Sequence, residues 1–252
     1  MSISKDDNNI RIWNANNWEC IRNISNINID GWLLSACFLK DNNQIYIITS
    51  NCNKNVNSEN IKIFDLNGQK IKEINSYKEK TFFIDIYYDN ILSKTYIITG
   101  NQGYIKSYDY NNNKLYHKYN DHDNWSHMSF LINNNKQMIK LIESSVDGNI
   151  RIWNFNSGLL LNKIKICDKS IKGICLWYSN YLFVGCPDKT IKLVEIEKGL
   201  ILDRLTTHTD QVITVKKIIL PKYGECLFSQ NWHESTIKIW VIKNDYLKNK
   251  TN

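Results

Sequence analysis

The sequence predicts an all-β chain assembled from repeated four-stranded antiparallel units. Three observations predict it. A short turn followed by alternating β-formers and a bulky residue recurs six times. The bulky residues fall at a near-regular interval. No stretch sustains the 3.6-residue spacing of an amphipathic helix. The chain has 252 residues, 42% hydrophobic and 12% aromatic, enough to fill a core. No apolar run approaches the roughly 18 residues of a membrane-spanning helix, and the start carries Asp6 and Asp7 where a signal peptide has its apolar stretch.

The recurring motif reads NNIRIWN at 8–14, ENIKIFD at 59–65 and GYIKSYD at 103–109. It returns as GNIRIWN at 148–154, KTIKLVE at 189–195 and STIKIWV at 235–241. The bulky residues are Trp13, Phe64, Tyr108, Trp153, Val194 and Trp240, separated by 51, 44, 45, 41 and 46 residues. A β-rich run precedes five of these motifs, at 44–50, 95–100, 140–145, 181–186 and 225–230. Another lies ahead of that, at 32–39, 81–88, 127–132, 170–177 and 212–220. A shorter run, such as ECIRNI or QKIKEI, follows the first five bulky residues. Each full interval therefore holds four strands, and a period of about 40–45 residues is that of a propeller blade. The long first interval contains NCNKNVNSEN at 51–60, a polar loop expected to be an insertion or a contact arm.

These residues resemble the WD-repeat (β-transducin-repeat) family over about residues 1–243. The best instances are SVDGNIRIWN at 145–154 and LTTHTDQVITV at 205–215 with STIKIW at 235–240. The terminal dipeptide is never Trp-Asp, and Asp121–His122 and Thr207–His208 stand where the family has Gly-His. The resemblance implies a WD-repeat-type β-propeller of six blade units. Its first unit lacks the innermost strand and its last the outermost, so the ring is expected to be incomplete. Three readings are open: the chain is a fragment of a longer, seven-bladed ring, its unclosed edges associate with a partner or with one another, or the ring closes in a distorted form. Residues 244–252 are expected to be a polar, disordered tail.

The resemblance also implies a structural network of His208, Ser229, Glu234 and Trp240, and a second of His122, Ser145, Asp147 and Trp153. Each set contains the residue types of a hydrolase triad. A buried Trp N–H needs an acceptor, however, and neither set has the strand–helix elbow or oxyanion loop of acyl transfer. The chain is expected not to be an enzyme. The five histidines lack zinc-ligand spacing, and there is no phosphate-binding glycine loop, so no metal or cofactor is expected. Seven scattered cysteines without a CxxC pair point to a reducing compartment, and the cytoplasm is the expected location.

In a propeller, the loops around one face present a binding surface. Here they would carry Trp32 beside Gly31, Asn101, Trp125 beside Asp123, Val146, Pro187, Gln211, and Trp232 with His233. Trp13, Trp153 and Trp240, at the motif ends, are expected in the core. Trp is a frequent anchor of protein interfaces, so the expected function is a protein–protein interaction scaffold. The alternative is binding of a polyanion, RNA or an acidic membrane surface, through surface Lys. The net charge is +7, but the lysines are scattered and the arginines number four: Arg11, Arg22, Arg151 and Arg204.

Overall fold

The computed structural model describes residues 1–3, 9–14, 16–25, 31–53, 61–74, 81–121, 126–134, 138–178, 180–233 and 236–242. Its strands form six small antiparallel sheets, and among the described residues there is no helix. The chain divides into two compact units, Met1–Trp125 and Ser126–Asn252. The expected tail at 244–252 and most of the polar loop at 51–60 lie outside the described residues.

The first unit holds three sheets. Sheet 1 contains β1 (Ser2–Ile3), β2 (Ile10–Trp13) and β3 (Cys20–Ile24). Sheet 2 contains β4 (Gly31–Asp41), β5 (Gln44–Asn53), β6 (Ile61–Phe64) and β7 (Lys70–Ile74). Sheet 3 contains β8 (Phe83–Asp89), β9 (Lys94–Gly100), β10 (Ile105–Asp109) and β11 (Lys114–Tyr119). Ile10, Leu33, Ile47 and Phe64 fill the space between sheets 1 and 2. Leu39, Ile48, Ile63, Ile84 and Tyr108 do the same between sheets 2 and 3.

The second unit repeats the plan. Sheet 4 contains β12 (Ser126–Asn134), β13 (Met138–Ser145), β14 (Asn149–Asn154) and β15 (Leu160–Lys165). Sheet 5 contains β16 (Gly173–Trp177), β17 (Tyr181–Gly185), β18 (Ile191–Glu195) and β19 (Leu200–Leu205). Sheet 6 contains β20 (Val212–Leu220), β21 (Gly224–Asn231) and β22 (Ile237–Val241). Ile142, Ile152, Ile174 and Leu182 pack sheet 4 on sheet 5, and Trp177, Phe183, Leu193 and Leu227 pack sheet 5 on sheet 6. Every sheet is a meander of sequence neighbours, as hairpin-sized connections require.

The motif shapes each sheet in the same way. A register shift falls immediately before the bulky residue in all five sheets that carry a following strand: Ile12/Trp13, Ile63/Phe64, Ser107/Tyr108, Ile152/Trp153 and Leu193/Val194. Such a bulge sharpens the strand twist. The next residue then builds the turn. In four sheets it is Asn14, Asp65, Asp109 or Asn154, whose side-chain oxygen accepts the N–H two residues on, at 2.9–3.0 Å. This is an Asx turn, which Asn and Asp both make, and it explains why the motif tolerates either there. The turn ends on a left-handed residue, Trp18, Gly68, Asn113, Gly158 or Gly199.

Four of the bulky side chains face the sheet that precedes their own within the same unit. Phe64 packs with sheet 1, Tyr108 with sheet 2, Val194 with sheet 4 and Trp240 with sheet 5. Trp153 is buried. Trp13 departs from the expected core position and is 41% exposed. Ile10 and Ile12 on the other face of β2 make the packing with sheet 2, and among the described residues no sheet precedes sheet 1.

Candidate interaction surface

One position of the motif is basic in all six copies: Arg11, Lys62, Lys106, Arg151, Lys192 and Lys238. The residues opposite them are Ser2, Thr49, Thr99, Glu143, Val184 and Ser229. This opposite position receives the indole N–H wherever the motif ends in Trp. Trp13 Nε1 donates to Ser2 Oγ at 2.9 Å, Trp153 to Glu143 Oε2 at 3.0 Å and Trp240 to Ser229 Oγ at 2.8 Å. Where the bulky residue is Val194, the position is Val184, with nothing to accept.

The structure joins three members of the first expected network. Ser229 Oγ lies 2.8 Å from His208 Nε2 as well as accepting from Trp240. Glu234 lies outside the described residues. Ser229 is fully buried and His208 nearly so, which keeps an acyl substrate from the hydroxyl. Ser229→Ala is expected to lower stability by about 1–3 kcal/mol by stranding the indole donor. A urea melt measures this, and adding Trp240→Phe should return part of the loss.

The second network is corrected. Trp153 takes Glu143 rather than Ser145, because Glu143 holds the register position equivalent to Ser229. The Ser145 carbonyl instead accepts the N–H groups of Gly148, at 3.2 Å, and Ile171, at 3.1 Å. Asp147 turns to the basic residue of its own motif: its carboxylate meets Arg151 at 2.5 and 3.2 Å and accepts the Asn149 N–H at 3.0 Å. Burial pushes the Asp147 carboxyl up, but the hydrogen bonds from Arg151 and Asn149 outweigh it and hold the group well below the usual carboxylate range. Asp188 repeats the arrangement with Lys192 at 2.9 Å and the Thr190 hydroxyl at 2.6 Å. Its carboxyl is likewise held down by these bonds against the effect of burial. His122 lies outside the described residues.

The antiparallel topology puts the turns 145–149 and 186–190, the linkers 166–172 and 206–211, and the segment after β21 at one edge of the second unit's sheets. Basic side chains stitch that edge. Lys192 Nζ donates to the Ile166 carbonyl at 2.9 Å, Lys165 Nζ to the Asp147 carbonyl at 3.1 Å and Lys238 Nζ to the Thr207 carbonyl. Three expected binding residues meet there. The Trp232 N–H donates to the Gln211 carbonyl at 3.1 Å, and His233 follows Trp232, its imidazole 3.6 Å from the Asp210 carboxylate. Trp232 is 53% exposed, with Lys172 Nζ 4.1 Å above its ring centre. Lys172 and Asp210 were not legible as members of this patch. Val146 and Pro187 occupy turns of the same edge and are half-buried. Pro187 lines a cleft of about 370 Å³ with Cys167, Lys169, Asp188, Lys192 and Arg204.

In the first unit, Trp32 is exposed but lies within β4, paired with Cys52. Asn101 is corrected from a presented residue to an internal one, 2% exposed. Its side-chain oxygen accepts from the Thr81 hydroxyl at 3.0 Å, and its nitrogen donates to the Thr99 hydroxyl at 3.1 Å. Gly31 begins β4, whereas Asp123 and Trp125 lie outside the described residues. An apolar groove of about 340 Å³, lined by Ile12, Ile21, Phe38, Ile45, Leu66 and Tyr88, was also not foreseen. Its residues come from three sheets, so no local pattern marks it. Among the described residues, no cluster of three or more His, Cys, Asp or Glu could hold a metal ion, and no helix is long and apolar enough to cross a membrane.

No protein-family model matches the sequence. Over 107 residues the chain is 23% identical to the U3 small nucleolar RNA-associated protein 21 homolog of Schizosaccharomyces pombe. That stretch is 42% of this chain and spans only 11% of the relative. The crystal structure of the computationally designed Ika4 protein superposes with a TM-score of 0.54 at 18% identity, covering 68% of this chain and 96% of that one. At that identity the likeness is one of fold. The described residues form six small antiparallel sheets, each a meander, consistent with an all-β, β-propeller-like fold.

Proposed function

We propose that this chain is a non-enzymatic scaffold of WD-repeat type that binds other proteins through the turn-and-linker edge of its sheets. The observation that carries the reading is Trp232: a large, rigid ring, half out in solvent, on a main chain held by Gln211 and under a stacked Lys172. A pre-positioned aromatic surrounded by polar groups is the usual anchor of an interface. Ser2, Glu143 and Ser229 serve as indole acceptors, which supports the assignment of the motif to bracing rather than reaction. In this reading the six sheets are six blades, the unclosed edges are a route to self-association, and the location is the cytoplasm. The relative's name ties that protein to a small nucleolar RNA, so a fluorescent fusion that collects in nucleoli would move the address without changing the role.

Part of the basic excess is spent inside the fold, with Arg151 on Asp147 and Lys192 on Asp188 and a carbonyl. That favours proteins over polyanions as partners. The test is affinity capture with the wild-type chain and with the Trp32→Ala/Trp125→Ala/Trp232→Ala variant. Loss of hot-spot anchors should weaken recovered partners by at least about 30-fold, the equivalent of roughly 2 kcal/mol. Undiminished capture by a folded variant rejects this edge. Binding that collapses between low and moderate salt with nucleic acid as the only ligand rejects the protein reading.

A further inference from the structure

The apolar groove of the first unit continues the seam between sheets 1 and 2. Directly opposed and alternate residues of a hairpin share a face. Phe38, Lys40 and Ile45 therefore lie at the end of the β4–β5 hairpin on the face from which Ile47 packs against sheet 1. Ile12 and Leu66 line the groove half-buried, resting on that same packing. Ile21, Phe38, Ile45 and Tyr88 stand exposed around them. The Tyr88 ring is held by its hydroxyl, which accepts the Lys40 main-chain N–H at 2.7 Å. A contiguous apolar patch of this kind on a folded surface marks an interaction site.

The charge around the groove selects what covers it. Among the described residues its charged lining groups are Arg22 and Lys40, both exposed. Arg22 Nη1 donates to Asn67 Oδ1 at 2.7 Å, which positions a guanidinium that has further N–H donors. Among the described residues neither cation is paired with a carboxylate. The carboxylates nearest to the lining residues in sequence are engaged elsewhere. Asp41 accepts the Tyr110 hydroxyl at 3.2 Å, and Glu19 accepts from Asn17 Nδ2 at 2.7 Å. Asp65 accepts the Asn67 and Gln69 N–H groups at 2.9 and 2.8 Å, and Asp89 those of Ile91 and Leu92 at 2.9 and 3.0 Å. A second copy of this chain, at net charge +7, has the wrong overall sign to answer the two cations.

We propose that this groove docks an acidic, amphipathic segment of a partner protein. The segment's bulky apolar side chains enter among Ile12, Phe38 and Ile45, and its carboxylates pair with Arg22 and Lys40. The groove is recessed and, at about 340 Å³, at the small end of ligand-sized cavities. Separate side chains reach into such a space, whereas the flat surface of a bilayer does not. No residue of the Trp232 edge takes part, so the inference stands or falls apart from the scaffold reading.

The full chain is panned against a displayed library of short random peptides. Enriched sequences should join bulky apolar residues to Asp or Glu. The strongest of them, labelled and titrated at low salt, should bind Phe38→Ala and Ile45→Ala at least about ten-fold more weakly than wild type, as loss of an interface anchor requires. Both side chains are exposed, so the fold should survive either change, and a melting curve checks this. Arg22→Ala/Lys40→Ala should weaken binding by a factor that shrinks as salt is added, whereas Trp232→Ala should bind as wild type does. No enrichment, enriched peptides without acids, affinity indifferent to these four groove residues, or affinity lost in Trp232→Ala instead overturns the proposal. So does a wild-type dimer in sedimentation that Phe38→Asp dissociates, which assigns the groove to a second copy. Phe38-dependent binding to phosphatidylserine vesicles with no peptide enriched overturns it equally.

Discussion

Asp147→Ala is expected to lower the unfolding free energy by about 3 kcal/mol, measured by urea melts at neutral pH. Asp147 is the counter-ion of Arg151, whose side chain is 0% exposed. Removing one member of a buried ion pair typically costs about 3–5 kcal/mol. The lower end applies because the Asp147 side chain keeps 18% exposure. The pair also sets an acid limit. The folded-state carboxyl of Asp147 is depressed, so its contribution is complete above the unfolded carboxylate value of about 3.9. It is lost as pH falls from there through the lower folded value. Asp147→Asn should therefore be less stable than wild type near neutral pH and show a shallower further decline in acid. Parallel acid limbs for the two proteins would show that the pair does not contribute.

Gly148→Ala should be comparably damaging, by about 2–5 kcal/mol. Gly148 has φ +76°. A side chain in that region costs about 1–2 kcal/mol. An added Cβ would also lie 2.0 Å from the Cys167 carbonyl oxygen and 2.7 Å from its carbon. Both are backbone atoms, so no rotamer change relieves the overlap, and overpacking adds roughly 1–3 kcal/mol. The Gly148 carbonyl accepts the Ile166 and Cys167 N–H groups at 3.0 and 3.2 Å, so any shift to make room breaks the linker's anchorage. Gly224 is the control. Its φ is +70° and nothing lies within 4 Å of an added Cβ, so Gly224→Ala should cost only the backbone share. Equal melting shifts for the two variants would mean that the carbonyl contact is not limiting.

The repeating part of the structure was readable because it is local. Strand alternation, the turn before each motif and the bulky residue that ends it are set by neighbours in sequence, and they place the strands of β2, β6, β10, β14, β18 and β22. Register between strands is not local. KLIESS offers three oxygen-bearing side chains in a row, and which of them lies under Trp153 depends on how β13 slides against β14. The pairing of Leu141 with Trp153 puts Glu143 there and leaves Ser145 at the turn. Asn101 failed differently. A polar turn residue reads as a presented one, yet Thr81, twenty residues earlier, satisfies its side chain and pulls it inside. The apolar groove of the first unit joins residues that no periodicity connects.

The six basic side chains and the bulky residues beside them have a bearing on synthesis. Phe64, Tyr108, Val194 and Trp240 reach back toward a sheet already made, and Lys192 and Lys238 grip carbonyls of linkers that precede them. Within each unit a nascent chain leaving the ribosome can seat every new sheet on a finished one. Because such assembly needs only nearest neighbours, it can keep pace with elongation and leaves at most one sticky face waiting at a time.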